Sequence, residues 1–198
     1  FWSRVHPRIY LGRGMALAAL IFSAVVAYIA FSELAYAYMW RQTFQLTETM
    51  STYWDPVENW SVLYPKPWSH EAARLGETIL HTFKPSKPTP TMYFSVTTRN
   101  GVETKEIAQV VDGFLLNLPK DRGIHLLESE KLVLPGGQPA YRIVYSEQTR
   151  RIPVKNETLF VMDGTRLFYI TVGAAPRWFD RQRVYLERLL YSLTLSSR

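Results

Sequence analysis

One stretch near the N-terminus limits what this chain can fold into. From Gly14 to Ser32 the sequence runs for 19 residues without a charge or a proline. A helix needs about 20 such residues to cross about 30 Å of hydrocarbon, and lipid offers no partners for the backbone of any open structure. Three aromatic residues that favour the headgroup level follow: Tyr36, Tyr38 and Trp40. We therefore predict a single transmembrane helix over residues 14–40.

The flanks of this segment predict its orientation. Residues 1–13 carry three arginines and no acid, whereas residues 33–60 carry four acids and one arginine. Because Lys/Arg-rich flanks stay in the cytoplasm, we expect residues 1–13 to form a cytoplasmic stub. The larger C-terminal part then lies in the periplasm of a bacterium, and the helix crosses the inner membrane once.

A cleaved signal peptide is the alternative interpretation. The basic N-terminal residues and the sequence Ala35-Tyr36-Ala37 both fit a signal peptide with an A-x-A cleavage site. The apolar run is longer than the roughly 7–15 residues of a signal h-region, so we favour a permanent anchor. Since the chain begins with Phe1 and not Met, we also expect residues before it.

Small side chains recur along the predicted helix. They lie three or four residues apart, at Ala19, Ser23, Ala27 and Ala30. Such a ridge lets a second helix pack closely, although alanine is common in any membrane helix. Glu33 lies near the outer end, where it either reaches the headgroups or bonds to a neighbouring subunit. We predict a helix-packing interface formed by these five residues.

The remainder fits one domain behind a linker. Residues 41–59 are polar and rich in threonine, which predicts a linker, and residues 60–198 suit one compact domain. The chain has no cysteine, which excludes disulfides, a thiol nucleophile and cysteine metal sites. Its net charge of +6 suits anionic headgroups or an acidic partner. An extracytoplasmic location argues against nucleic acid as the partner.

Patterning within residues 60–198 predicts an α+β fold. Strand-like runs surround two helical patterns, and Asp163-Gly164 between two apolar runs is a strong hairpin signal. The first helix has an apolar stripe that ends before Pro119: Ile107, Val110, Val111, Phe114, Leu115 and Leu118. A second helix opens at Pro176 with another stripe: Phe179, Arg183, Leu186, Leu190 and Leu193. This order of elements is typical of helices packed on an antiparallel sheet.

Three arginines lie on the other faces of that second helix. They are Arg177, Arg181 and Arg188. Charges in such positions usually mark a solvated surface, and a basic surface that meets lipid or protein is the functional alternative. We name these three residues the candidate basic docking face.

Catalytic and metal-binding patterns are weak. His70-Glu71 begins like a zinc-protease helix, but Arg74 occupies the position of the second histidine. The other histidines are scattered singly, and metal sites need several converging donors. Glu128 and Glu130 share one face of a strand, where an exposed surface explains them more simply than divided acid and base roles. We therefore predict no enzymatic activity, no cofactor and no small-molecule substrate.

The order of several motifs resembles that of PsbP-like domains. Trp60-Ser-Val-Leu-Tyr-Pro65-Lys-Pro-Trp68 is similar to the aromatic-x-hydrophobic-x-Tyr-Pro-x-x-Trp first strand of that family. Three later features agree with it: the amphipathic helix before Leu118, the turn Gly136-Gly-Gln-Pro-Ala140, and the run from Phe168-Tyr-Ile-Thr-Val172 through Phe179 to Leu190-Tyr-Ser-Leu193. The resemblance covers about two-thirds of the chain and implies a central antiparallel sheet between helices.

The resemblance also implies a class of function. Members of the family are mostly non-catalytic, as extrinsic subunits or assembly factors of photosystems and as bacterial envelope proteins. This chain departs from them in its predicted transmembrane anchor. We therefore expect an accessory subunit on the extracytoplasmic face of a larger membrane complex, with a photosynthetic reaction centre or another energy-converting complex as the leading candidate. A free-standing tethered envelope protein for ligand binding or complex assembly is the alternative.

Overall fold

The structure is a computed structural model of the 198-residue chain. It describes residues 21–32, 34–35, 49–85, 92–103, 106–119, 122–148 and 153–196. The chain divides into two compact units, Phe1–Gln45 and Leu46–Arg198.

The N-terminal unit is helical where it is described. Helix α1 covers the described residues 21–32 and 34–35, and the Ser32 hydroxyl donates to the Ile29 carbonyl at 2.8 Å. Large apolar side chains are exposed all around this helix, with Phe22 at 70% and Tyr28 at 74%. In the described part of the chain, no helix has both the length and the apolar character needed to cross a bilayer. Most of the remaining predicted span over 14–40 lies outside the described residues.

A seven-stranded antiparallel sheet forms the centre of the C-terminal unit. Its strands are β3 (Trp68–Leu75), β4 (Thr78–Pro85), β5 (Tyr93–Arg99), β6 (His125–Val133), β7 (Pro139–Gln148), β8 (Pro153–Asp163) and β9 (Arg166–Ala174). Their order across the sheet is β3-β4-β5-β9-β8-β7-β6. The hairpin predicted at Asp163-Gly164 joins β8 to β9, and the φ of +63° at Gly164 is one that glycine adopts without steric cost. The predicted α+β class with an antiparallel sheet is confirmed.

A smaller sheet of three antiparallel strands accompanies the large one. It consists of β1 (Met50–Asp55), β2 (Trp60–Pro65) and β10 (Thr194–Leu195), in the order β1-β2-β10. Strand β1 lies within residues 41–59, so that interval contains part of the folded domain as well as any linker. Its threonine and aromatic residues favour strands, and pairing with β2 places Tyr53 opposite Val62.

Helix α2 (Ile107–Asn117) covers one face of the large sheet. It ends before Pro119, as predicted, and its stripe packs on a buried cluster from β7, β8 and β9. That cluster comprises Ile143, Tyr145, Phe160, Met162 and Leu167. Only Ile107 and Val111 of the helix are fully buried, so much of its apolar stripe lies partly open beside the sheet.

The opposite face of the large sheet carries the small sheet and two further helices. Cross-strand pairing puts Phe83, Phe94 and Val172 on that face, and Tyr53 of β1 packs against Phe83 with ring centroids 5.6 Å apart. Helix α3 (Pro176–Arg181) and helix α4 (Arg183–Leu190) follow β9, and α4 contacts both β9 and β2. The domain is therefore layered as α2, large sheet, and a mixed layer of helices and small sheet.

The structure corrects the predicted C-terminal helix. One helix was expected after Pro176, but Gln182 has φ −113° and ψ 14° and separates α3 from α4. The side chains that face inward differ in part from the predicted stripe. Phe179, Leu186 and Leu190 are buried as expected, whereas Arg183 lies on the surface and Leu189 is buried in addition.

Candidate functional site

The predicted helix-packing interface is described only in part. Ser23, Ala27 and Ala30 lie on α1 and are exposed. Their spacing of four and three residues places them on one side of the helix. Ala19, Glu33 and the predicted aromatic belt of Tyr36, Tyr38 and Trp40 lie outside the described residues.

The candidate basic docking face lies at the surface of the domain. Arg177 and Arg181 belong to α3 and Arg188 belongs to α4, and all three are exposed. The Arg181 guanidinium lies 6.0 Å from the centroid of the Trp178 ring, within the range of a cation–π contact. The three arginines are thus carried on two consecutive helices and not on one.

The acids beside this face pair with other basic residues. Lys155 Nζ lies 2.8 Å from Asp180 Oδ1, and Arg183 Nε lies 2.9 Å from Glu187 Oε1. Val184, four residues before Arg188, is 83% exposed. A surface that combines arginines with an exposed apolar side chain has the composition of a protein interface.

Three polar side chains meet where the two sheets pack. His81 is 2% exposed, and its Nε2 lies 3.4 Å from Asp55 Oδ2. Its Nδ1 lies 3.2 Å from His70 Nε2, and the two imidazole rings are nearly parallel, with an interplanar angle of 8°. We name Asp55, His70 and His81 the polar seam. Sequence reasoning treated the histidines as unconnected because their contact depends on the pairing of β3 with β4.

The surroundings of the polar seam disfavour positive charge. Burial lowers the pKa of His81, and the Asp55 carboxylate offsets part of that effect. Burial likewise lowers the pKa of His70, with an opposing contribution from the same carboxylate. Protonation of both rings would place two charges about 3 Å apart in a low-dielectric interior. We therefore expect acid to weaken the packing of the two sheets.

A cluster of ion pairs lies under α4. Arg142 is 7% exposed, and it donates through Nε to Glu157, which is fully buried. Arg142 also pairs with Glu128 at 3.0 Å and with Glu130 at 3.8 Å. The two strand carboxylates predicted to share one face do so, and both are directed at this guanidinium. In the part of the chain that the structure describes, no group of three or more His, Cys, Asp or Glu is suited to a metal ion.

Comparison with known proteins identifies the fold. No protein-family model and no curated protein matches the chain. The solution structure of CyanoP, the cyanobacterial PsbP of Synechocystis sp. PCC 6803, matches with a TM-score of 0.63 and 14% identity, over 75% of this chain and 93% of that chain. A Pseudomonas aeruginosa protein of unknown function matches with a TM-score of 0.51 and 16% identity, over 75% of this chain and 97% of the other. Similarity at these identities is similarity of fold, and the C-terminal unit therefore has a PsbP-like fold.

Proposed function

We propose that this protein is a non-catalytic accessory subunit, anchored in the inner membrane by one helix, that stabilises the extracytoplasmic face of a larger membrane complex. A photosynthetic reaction centre or another energy-converting complex is the leading candidate. The observation that carries the proposal is the PsbP-like fold, which CyanoP shares over 93% of its own chain.

The anchor is supported by the sequence and by helix α1. The uncharged run from Gly14 to Ser32 has the length of a membrane span. The described part of it is helical, with apolar side chains exposed on every side, and a helix that is apolar all round suits lipid or other membrane helices. The arginines before it favour an N-terminus in the cytoplasm and a domain in the periplasm.

The surface of the domain supports a protein or headgroup partner. The candidate basic docking face consists of the exposed Arg177, Arg181 and Arg188, and Val184 of α4 is exposed as well. An acidic surface of a membrane complex would complement it. An anionic lipid surface would also attract it, which fits the alternative of a tethered envelope protein that acts alone.

The small-residue ridge of α1 separates the two functions. A subunit needs Ser23 and Ala27 against a neighbouring helix, whereas a tether leaves them facing lipid. In the subunit, the double substitution Ser23→Leu/Ala27→Leu should separate neighbouring helices and reduce co-purification with the complex. The control is Val25→Leu/Ile29→Leu, which changes the opposite side of the same helix.

The measurement is the amount of this chain that remains with its complex after gentle detergent extraction. We expect at least a fivefold loss for the ridge variant and little change for the control. Equal retention of both variants would contradict packing through this ridge and would favour the tether.

A further inference from the structure

A cleft of about 640 Å³ opens between α2 and the strands β5 and β9. Its apolar wall includes Phe114 and Tyr169, whose ring planes are inclined by 29° with centroids 6.0 Å apart. Arg99 and Glu103 line its polar side. The volume lies within the roughly 300–1,000 Å³ typical of binding clefts. We name this feature the α2 cleft.

Gly113, a glycine inside a helix, leaves the α2 cleft open because it has no side chain. Gly113 lies in the interior of α2 and lines the cleft. A Cβ built on it would meet no atom within 4 Å, so packing does not require glycine there. Glycine destabilises a helix interior relative to alanine. Gly113 therefore weakens the helix at the point where a side chain would enter the cleft.

The polar lining of the α2 cleft offers both donors and acceptors. Burial raises the pKa of the Tyr169 hydroxyl, and the nearby Arg99 charge offsets part of that rise. A guanidinium therefore lines the cleft beside this ring, and the Glu103 carboxylate supplies an acceptor. Asn117 donates to the Gly113 carbonyl at 2.7 Å and adds an amide to the lining. Charges of both signs suit a ligand that itself carries N–H and C=O groups.

We propose that the α2 cleft receives an extended segment of a partner protein, with one large apolar side chain seated in the notch at Gly113. Arg99 bonds to a backbone carbonyl or carboxylate of that segment, and Glu103 accepts from its N–H groups. The rings of Phe114 and Tyr169 pack against the inserted side chain. The inference rests on the proposed function, because the segment belongs to a subunit of the membrane complex.

Site-specific photo-crosslinking in native membranes tests this proposal. The full chain carries p-benzoylphenylalanine either at Gln109, which lines the α2 cleft, or at Asp112, which is exposed on the same helix and is not among the residues lining the cleft. We expect position 109 to label one segment of a co-migrating subunit and position 112 to label it at least fivefold less. Sequencing of the labelled peptide should place an aliphatic or aromatic residue at or next to the crosslink.

A second variant shows whether the notch itself is occupied. Gly113→Leu fills the notch without meeting another atom at its Cβ, so the melting temperature should not fall. The crosslink at position 109 should nevertheless decrease at least fivefold, whereas Asp112→Leu, the matched control, should leave it unchanged. An unchanged crosslink in a stable Gly113→Leu chain would overturn the proposal.

The remaining outcomes separate this inference from the proposed function. If the chain co-migrates with a complex but position 109 labels nothing, or labels only lipid or a small molecule, the α2 cleft is not the docking site and the subunit role stands. If the unlabelled chain migrates alone, both the docking site and the subunit role are overturned.

Discussion

The buried pair Arg142–Glu157 allows a quantitative test of the packing under α4. Glu157 is fully buried and its Oε2 has no hydrogen-bond partner in the described part of the chain. Burial raises the pKa of this carboxyl, and the hydrogen bond from Arg142 offsets part of the rise. Removing one partner of such a pair typically costs about 3–5 kcal/mol, because it leaves the other charge buried and uncompensated. We therefore expect Arg142→Leu to lower the free energy of unfolding by about 3–5 kcal/mol at pH 8.

The pH dependence of that loss follows from the direction of the pKa shift. Without Arg142, the pKa of Glu157 in the folded state rises further above its unfolded value. The folded state then binds more protons than the unfolded state between the two pKa values, so stability falls as the pH rises through that interval. The loss should therefore be smaller at pH 5 than at pH 8, by about 1.4 kcal/mol for each pH unit over which only the folded form is protonated.

The assay is urea unfolding of the full chain in mild detergent at pH 5 and at pH 8, with tryptophan fluorescence as the readout. Arg122→Leu is the matched control, because Arg122 is exposed and lies 3.5 Å from Glu147. This substitution should lower the free energy of unfolding by only about 0–1 kcal/mol. The double variant Arg142→Leu/Glu157→Leu should recover most of the stability, because it leaves no buried charge on either side. A loss below about 1 kcal/mol for Arg142→Leu, or an equal loss at both pH values, would refute this reasoning.

Three further predictions concern other parts of the domain. Gly113→Ala should raise the free energy of unfolding by about 0.5–1 kcal/mol, measured as a rise in melting temperature of about 1–4 °C. The pKa values of His70 and His81 are lowered in the folded state, so the unfolded chain binds more protons below about pH 6.5 and stability falls as the pH drops. His70→Phe/His81→Leu should flatten that dependence between pH 7 and pH 5 in urea titrations. Trp60→Ala, which empties a fully buried position, should cost about 3–5 kcal/mol, and no measurable loss would contradict its place in the core.

Helix α2, the β8–β9 turn and strand β2 were predicted from residues that lie close together in the sequence. The stripe of α2 repeats with the helical period and stops at Pro119, so its bounds follow from residues within one segment. The turn at Asp163-Gly164 needs only two residues and the apolar runs beside them. The motif from Trp60 to Trp68 coincides with β2 and the start of β3, because aromatic burial and the intervening proline turn are both encoded there.

Features that depend on tertiary contact were missed. Strand β1 was assigned to a linker because it is short and lies in a polar, threonine-rich interval, and its pairing with β2 could not be read from the sequence. The break at Gln182 has no glycine or proline to signal it, and α3 and α4 form as separate helices where each packs on the sheet. The polar seam required knowledge that β3 pairs with β4 in a register that brings His70 to His81.

Of the candidate sites, the basic docking face could be predicted from the sequence, whereas the α2 cleft could not. The exposed positions of Arg177, Arg181 and Arg188 could be predicted, because charged residues on an amphipathic helix turn to solvent. The role of Gly113 could not, because its sequence neighbourhood is an ordinary helix. Only the position of Arg99 and Tyr169 across from it reveals a cleft.

The most direct test of the subunit role is the size and composition of the particle that contains this chain. Native membranes are extracted with a gentle detergent, the extract is separated on a native gel, and the band containing the chain is analysed by mass spectrometry. We predict co-migration at fixed stoichiometry with a large assembly that carries pigments or redox cofactors. Migration of the chain alone, near its own 23.0 kDa plus detergent, would contradict the account and leave the tethered envelope protein in its place.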